Sequence, residues 1–237
     1  MQYLPRYLRQ LNGSGPLVHM TVSTNPCPNP EARWPAIFAL FAIVGLRLAL
    51  PRSLAVTPAW VPLVVVTLLV IPTVLARRMR RHQLNQWLGF VITGIVTLDM
   101  IWSLSLLVAA LPAHTLAPTT LLRSSAVLWI SNILIFASWY WRLDAGGPNA
   151  RDFREEHRKG AFLFPQMTLD ASDADSPANG WSPGFVDYLF LAFNTSTAFS
   201  PTDVPVLSRW AKLLMMMQAS ISLATIALLA ARAVNIL

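Results

Sequence analysis

Charge is scarce in this chain of 237 residues, where Asp, Glu, Lys and Arg together make up 12%. Soluble domains carry about 25%, so an ordinary water-facing surface over the whole molecule is excluded. Cysteine occurs once, at Cys27, which rules out an intrachain disulfide and a thiolate metal cluster. It does not sit in a small-residue cleavage context, so lipidation is not expected either. The chain also lacks a Gly-rich phosphate loop, a nucleophile elbow and a Cys/His cluster, so no catalytic chemistry and no cofactor are expected. Glu155-Glu156-His157 has the wrong spacing for a His-Glu-x-x-His zinc helix and reads as part of a solvated charged stretch. The first 33 residues form a tail interrupted by Pro5, Gly13, Gly15, Pro16, Pro26, Pro28 and Pro30, with no apolar core for a cleavable signal. Met20 would serve as a start as well as Met1.

Long apolar runs fill the space that charge leaves. Residues 59–76 give eighteen positions without a charge, followed by Arg77, Arg78, Arg80 and Arg81. At about 1.5 Å per residue such a run crosses a hydrocarbon core of about 30 Å. Similar runs cover Trp34–Leu50, Pro58–Ala76, Trp87–Leu111 and Ser124–Trp141. Asn29-Pro30-Glu31 reads as the start of the first helix, and Pro72 predicts a kink in the second. Trp139-Tyr140-Trp141-Arg142 is an interfacial anchor. Residues 144–183 form a polar loop, and two more apolar runs follow, Gly184–Ser200 and Ala211–Leu237. The expected fold is therefore all-α: a polytopic transmembrane bundle of about six spans, or five plus a re-entrant helix if 184–200 does not cross. Its parts are a tail (1–33), a four-span bundle (34–143), the loop (144–183) and a two-helix hairpin (184–237).

The basic residues cluster beside the apolar runs. The net charge of +7 is therefore read as insertion bias and attraction to anionic lipid, with the bilayer as partner and no nucleic acid. With six spans and a cytoplasmic N-terminus, thirteen of the eighteen Lys and Arg residues lie inside and four outside, with Arg47 within a span. That bias puts the loop and the N-terminus in the cytoplasm of a cell with a plasma (inner) membrane.

Arg47 and Asp99 lie thirteen and twelve residues beyond the starts of their spans. They share a depth and are expected to pair, because an isolated charge there costs at least about 2.5–3.5 kcal/mol. Asp187 and Arg232 are a second expected pair near the inner ends of their spans. Asn132, Asn194 and Gln218 place amides in three spans and read as interhelical hydrogen-bonding groups. Ser220, Ala224, Ala227 and Ala231 share one helical face, which allows close packing inside the bundle or, alternatively, self-association into a homo-oligomer.

From 184 onward a short apolar helix, Ser196-Thr197, Asp203, Pro205 and a long final helix follow one another. This order resembles the pore module of tetrameric potassium channels. It implies a channel-like or transport protein with a glycine-free filter region near Ser196–Asp203, where Ser196, Thr197, Thr202 and Asp203 are the pore-loop positions. Asp187-Tyr188, Phe193, Thr202-Asp203, Ser208-Arg209 and Val234-Asn235 also resemble the C-terminal segment of a group of bacterial multi-pass inner-membrane proteins. That resemblance implies an inner-membrane location and brings no activity with it. The first expectation is therefore an integral plasma-membrane protein of structural or regulatory role with no assignable chemistry, and the channel-like or transport protein is its alternative.

Overall fold

The computed structural model describes residues 31–54, 58, 61, 64, 66–68, 82–113, 117–152, 160–169, 181–197 and 204–234. Its longer elements are helices: α1 (Trp34–Leu48), α2 (His82–Ala113), α3 (Pro118–Leu143), α4 (Phe185–Thr197) and α5 (Arg209–Val234). No β-strand occurs among the described residues. Segments within α2, α3 and α5 are long and apolar enough to cross a membrane. Proline at the first position of α3 suits a helix start, where its missing N–H has no partner to lose. α1 has 15 residues and α4 has 13, rises of only about 22 and 20 Å. Three membrane-length helices thus stand where about six spans were expected. Most of the second apolar run, with Pro72 and the arginines of 77–81, lies outside the described residues.

α3 is the common neighbour, packing against the other four helices. The Gln86 side chain of α2 donates to the Gly146 carbonyl beyond α3 at 3.2 Å, and Trp139 Nε1 donates to the Thr97 hydroxyl at 2.9 Å. α2 and α3 are therefore antiparallel. α1 starts beside the same end, with Arg33 Nη1 donating to Asn149 at 2.6 Å. The expected cap Asn29 and first helical position Pro30 lie outside the described residues, and α1 begins at Trp34, so Glu31 precedes the helix rather than standing in its first turn. Glu31 instead accepts from Trp141 Nε1 and, at 2.9 Å, from Arg151.

The segment expected to be a solvated loop contributes to the core. Ala161, Phe162 and Phe164 are buried. The Phe162 ring meets Tyr140 at the end of α3 (5.3 Å), Tyr188 in the first turn of α4 (6.2 Å) and Trp210 at the start of α5 (6.2 Å). Apolar side chains interleaved with the charges of this stretch drive that burial. Phe162 and Val206 form an antiparallel bridge, with Leu163 N–H donating to Pro205 O at 3.0 Å and Leu207 N–H to Ala161 O at 2.8 Å. One end of the bundle, hereafter the loop end, thus gathers the starts of α1, α2, α4 and α5 and the end of α3. The chain turns there through Ala145, Gly146 and Gly147 at φ of 51°, 83° and 86°. Glycine is needed at 147, where a Cβ would stand 2.7 Å from the Arg142 carbonyl oxygen.

Candidate functional site

The site is built on the half-length helix α4 and the helix that follows it. Gln218 of α5 donates to the Ala192 carbonyl at 2.7 Å and to the Ser196 hydroxyl at 2.8 Å, both on α4. One turn further along α5, Ser222 donates to the Ser196 carbonyl at 2.6 Å. Advancing along one helix advances along the other, so α4 and α5 run parallel from the loop end. α3 runs against them: Asn132 donates to the Gln218 carbonyl at 3.2 Å and Trp129 Nε1 to the Ser222 hydroxyl at 3.2 Å. The Tyr140 hydroxyl completes the cluster by donating to the Gln218 side-chain oxygen. Gln218 and Asn132 are both fully buried; the Gln218 side chain uses its oxygen and its amide nitrogen, whereas Asn132 Oδ1 has no partner among the described residues.

The parallel course sets where the sequence-derived residues fall. Ser196 is inside the seam; Thr197 is exposed and bonds back to the Phe193 carbonyl at 2.9 Å. Asn194 is half-buried and makes no side-chain hydrogen bond among the described residues. Thr202 and Asp203 lie outside them. Asp187, in the first turn of α4, accepts from Gly184 N–H at 2.8 Å. Position 232 falls in the last turn of α5, about 35 Å along the axis from the start of that helix. The expected approach of Asp187 and Arg232 is therefore corrected: their helices start together, so the two positions stand at opposite ends.

Arg47 and Asp99 meet within the bundle. Arg47 Nε donates to Asp99 Oδ2 at 2.5 Å and Nη2 to Oδ1 at 3.1 Å, the bidentate fork that best matches a carboxylate. Arg47 Nη1 and the Ser103 hydroxyl are buried without partners among the described residues. Both residues line a cavity of about 180 Å³ walled mainly by apolar side chains such as Val44, Val96 and Ile135.

The small-residue face of α5 is turned outward. Ser220, Ala227 and Ala231 are exposed and Ala224 half-buried, while Ala211, Gln218, Ser222 and Thr225 are buried, with Gln218 and Ser222 bonded to α3 and α4. Packing inside the bundle, the first use expected of that face, is carried by these other residues instead.

Sequence reasoning missed the buried polar cluster at the loop end. Arg151 Nη2 meets Glu31, and Nη1 donates to the carbonyls of Trp141 at 2.9 Å and Asp144 at 3.0 Å. Asp144 accepts from Ala161 N–H at 2.5 Å and from the Tyr188 hydroxyl at 2.6 Å. Arg151 opens a run of charges that looks solvated, and nothing beside it in the sequence signals its burial. No group of three metal-ligating side chains occurs among the described residues. Compared with known proteins, the chain matches no family model, no curated protein and no solved structure.

Proposed function

We propose that this chain is a channel-like or transport protein of a plasma membrane, built of five spans and a re-entrant helix. The re-entrant helix is α4. The observation that carries the reading is that α4 and α5 both start at the loop end although they are consecutive in the chain. A 13-residue helix that enters about 20 Å and is followed by return to the same end leaves its C-terminus part-way through the hydrocarbon. Non-helical backbone at that depth is tolerated only where protein buries it or where it lines an aqueous path. The partial negative charge of a helix C-terminus favours a cation there.

The Lys and Arg distribution supports the same topology. With α4 re-entrant, Arg209 and Lys212 join the loop side and Arg232 leaves it, giving fourteen against three in place of thirteen against four. The loop side is then the cytoplasmic one, with the N-terminus.

Two measurements test this. In a Cys27→Ser background, Leu169→Cys and Leu207→Cys should react with an impermeant maleimide from one face only, and from the same face. Reaction from opposite faces means that α4 crosses. Purified protein in liposomes should pass a small monovalent cation, and Asp203→Asn should change that flux. A folded, oriented preparation that passes nothing removes the conduction reading.

A further inference from the structure

A cleft of about 90 Å³ opens at the loop end between α1, α2 and the end of α3. Arg33, Asn85 and Arg142 line its polar side; Ile37, Leu40 and Ile92 line its apolar side. Arg33 is paired with Asp152 and Asn149. Arg142 is different. Its Nε is buried without a partner, and among the described residues its guanidinium has no hydrogen bond and no acid within ion-pair distance. Its neighbour is the Trp141 ring, 5.4 Å from Cζ. The guanidinium rests on the backbone of α2 at Gly89, where a Cβ would come 1.8 Å from Nη1. Glycine at 89 makes the seat, so the arginine is lodged there by the helix pairing.

A partly buried guanidinium without a counter-charge is costly, and the charge nearest to it in the cleft is a second guanidinium. The cleft is amphipathic, cationic at the end of the helices and apolar along them. Trp34 and Trp87, 65% and 70% exposed, flank it at the same end, as indoles do at the headgroup level of a bilayer. We infer that this cleft binds an anionic phospholipid. Arg142 and Arg33 contact the headgroup phosphate, and an acyl chain lies along Ile37, Leu40 and Ile92. Such basic pockets between spans suit anionic headgroups because a fixed guanidinium fork matches phosphate oxygens. The inference is independent of conduction.

The test titrates phosphatidylglycerol or phosphatidylcholine into the delipidated full chain in detergent, reading the unfolding temperature and the bound lipid by native mass spectrometry. Phosphatidylglycerol should be retained and should raise the unfolding temperature; phosphatidylcholine should do neither at the same mole fraction. Arg142→Gln and Gly89→Ala should each weaken half-saturation about tenfold, the second without changing net charge. Arg209→Gln, at an exposed arginine of the same end, should leave it unchanged. Equal retention of the two lipids by the unaltered protein overturns the assignment even if the variants fail to fold. So does a shift of the same size given by inorganic phosphate alone, which would make the site one for a free anion.

Discussion

Gln218 stands 2.8 Å from the Ser196 hydroxyl, and through that contact one side chain of α5 holds the far end of α4 in place. The same amide accepts from Tyr140 and donates to the Ala192 carbonyl. Three helices therefore depend on a single residue whose size a leucine nearly matches. Gln218→Leu should lower stability by about 1–3 kcal/mol, because it leaves buried groups on α3 and α4 without partners. Thermal unfolding in detergent followed by tryptophan fluorescence reads this. An unchanged transition would mean that the seam contributes nothing.

The Arg47–Asp99 pair predicts strong non-additivity. Asp99→Asn or Arg47→Met alone should cost about 3 kcal/mol, since each leaves a charge within the bundle unmatched. The double variant should recover much of that loss, with a coupling above about 1 kcal/mol. Additive effects in a double-mutant cycle would mean that the two charges are independently solvated through the adjoining cavity.

At the loop end, Tyr188→Phe removes the hydroxyl that donates to Asp144 at 2.6 Å. A loss of about 1–2 kcal/mol is expected. Arg151→Gln should cost more, about 3 kcal/mol, because Glu31 is then left buried and unpaired. Chemical denaturation of the two variants side by side orders them; the reverse order would contradict the burial of Arg151.

The outward face of α5 gives a prediction about assembly. Ala227→Cys, made in a Cys27→Ser background, should form an intermolecular disulfide under mild oxidation if copies associate through that face. Leu213→Cys, also exposed on α5, serves as the comparison. Crosslinking at 213 in preference to 227 would place the contact elsewhere on the helix, and a monomer under both conditions would mean that lipid covers it.

The sequence carried parts of this arrangement because their cause is local. Counting from the starts of two apolar runs put Arg47 and Asp99 at one depth, and parallel helices of like pitch kept them level. The amides Asn132 and Gln218 stood out as the polar positions of apolar runs, and the Asn132 side chain does reach the Gln218 backbone carbonyl. The course of α4 was not legible. Hydropathy measures how apolar residues 184–200 are, whereas the bridge of Val206 to Phe162, which brings the start of α5 back to the loop end, joins positions more than 40 apart. Arg151 was hidden for the same reason: nothing near it in the chain reveals that Glu31, 120 positions earlier, lies beside it.

Tyr140, Trp141 and Arg142 are consecutive, and each engages a different neighbour: Gln218 on α5, Glu31 ahead of α1, and the backbone at Gly89 on α2. Successive helical positions differ by about 100°, so this last turn of α3 works like a three-lobed key. A slip by one residue would swing all three lobes out of their slots together. Such a joint has no half-engaged setting, and its neighbours inherit a fixed rotational phase from a stretch of only three residues.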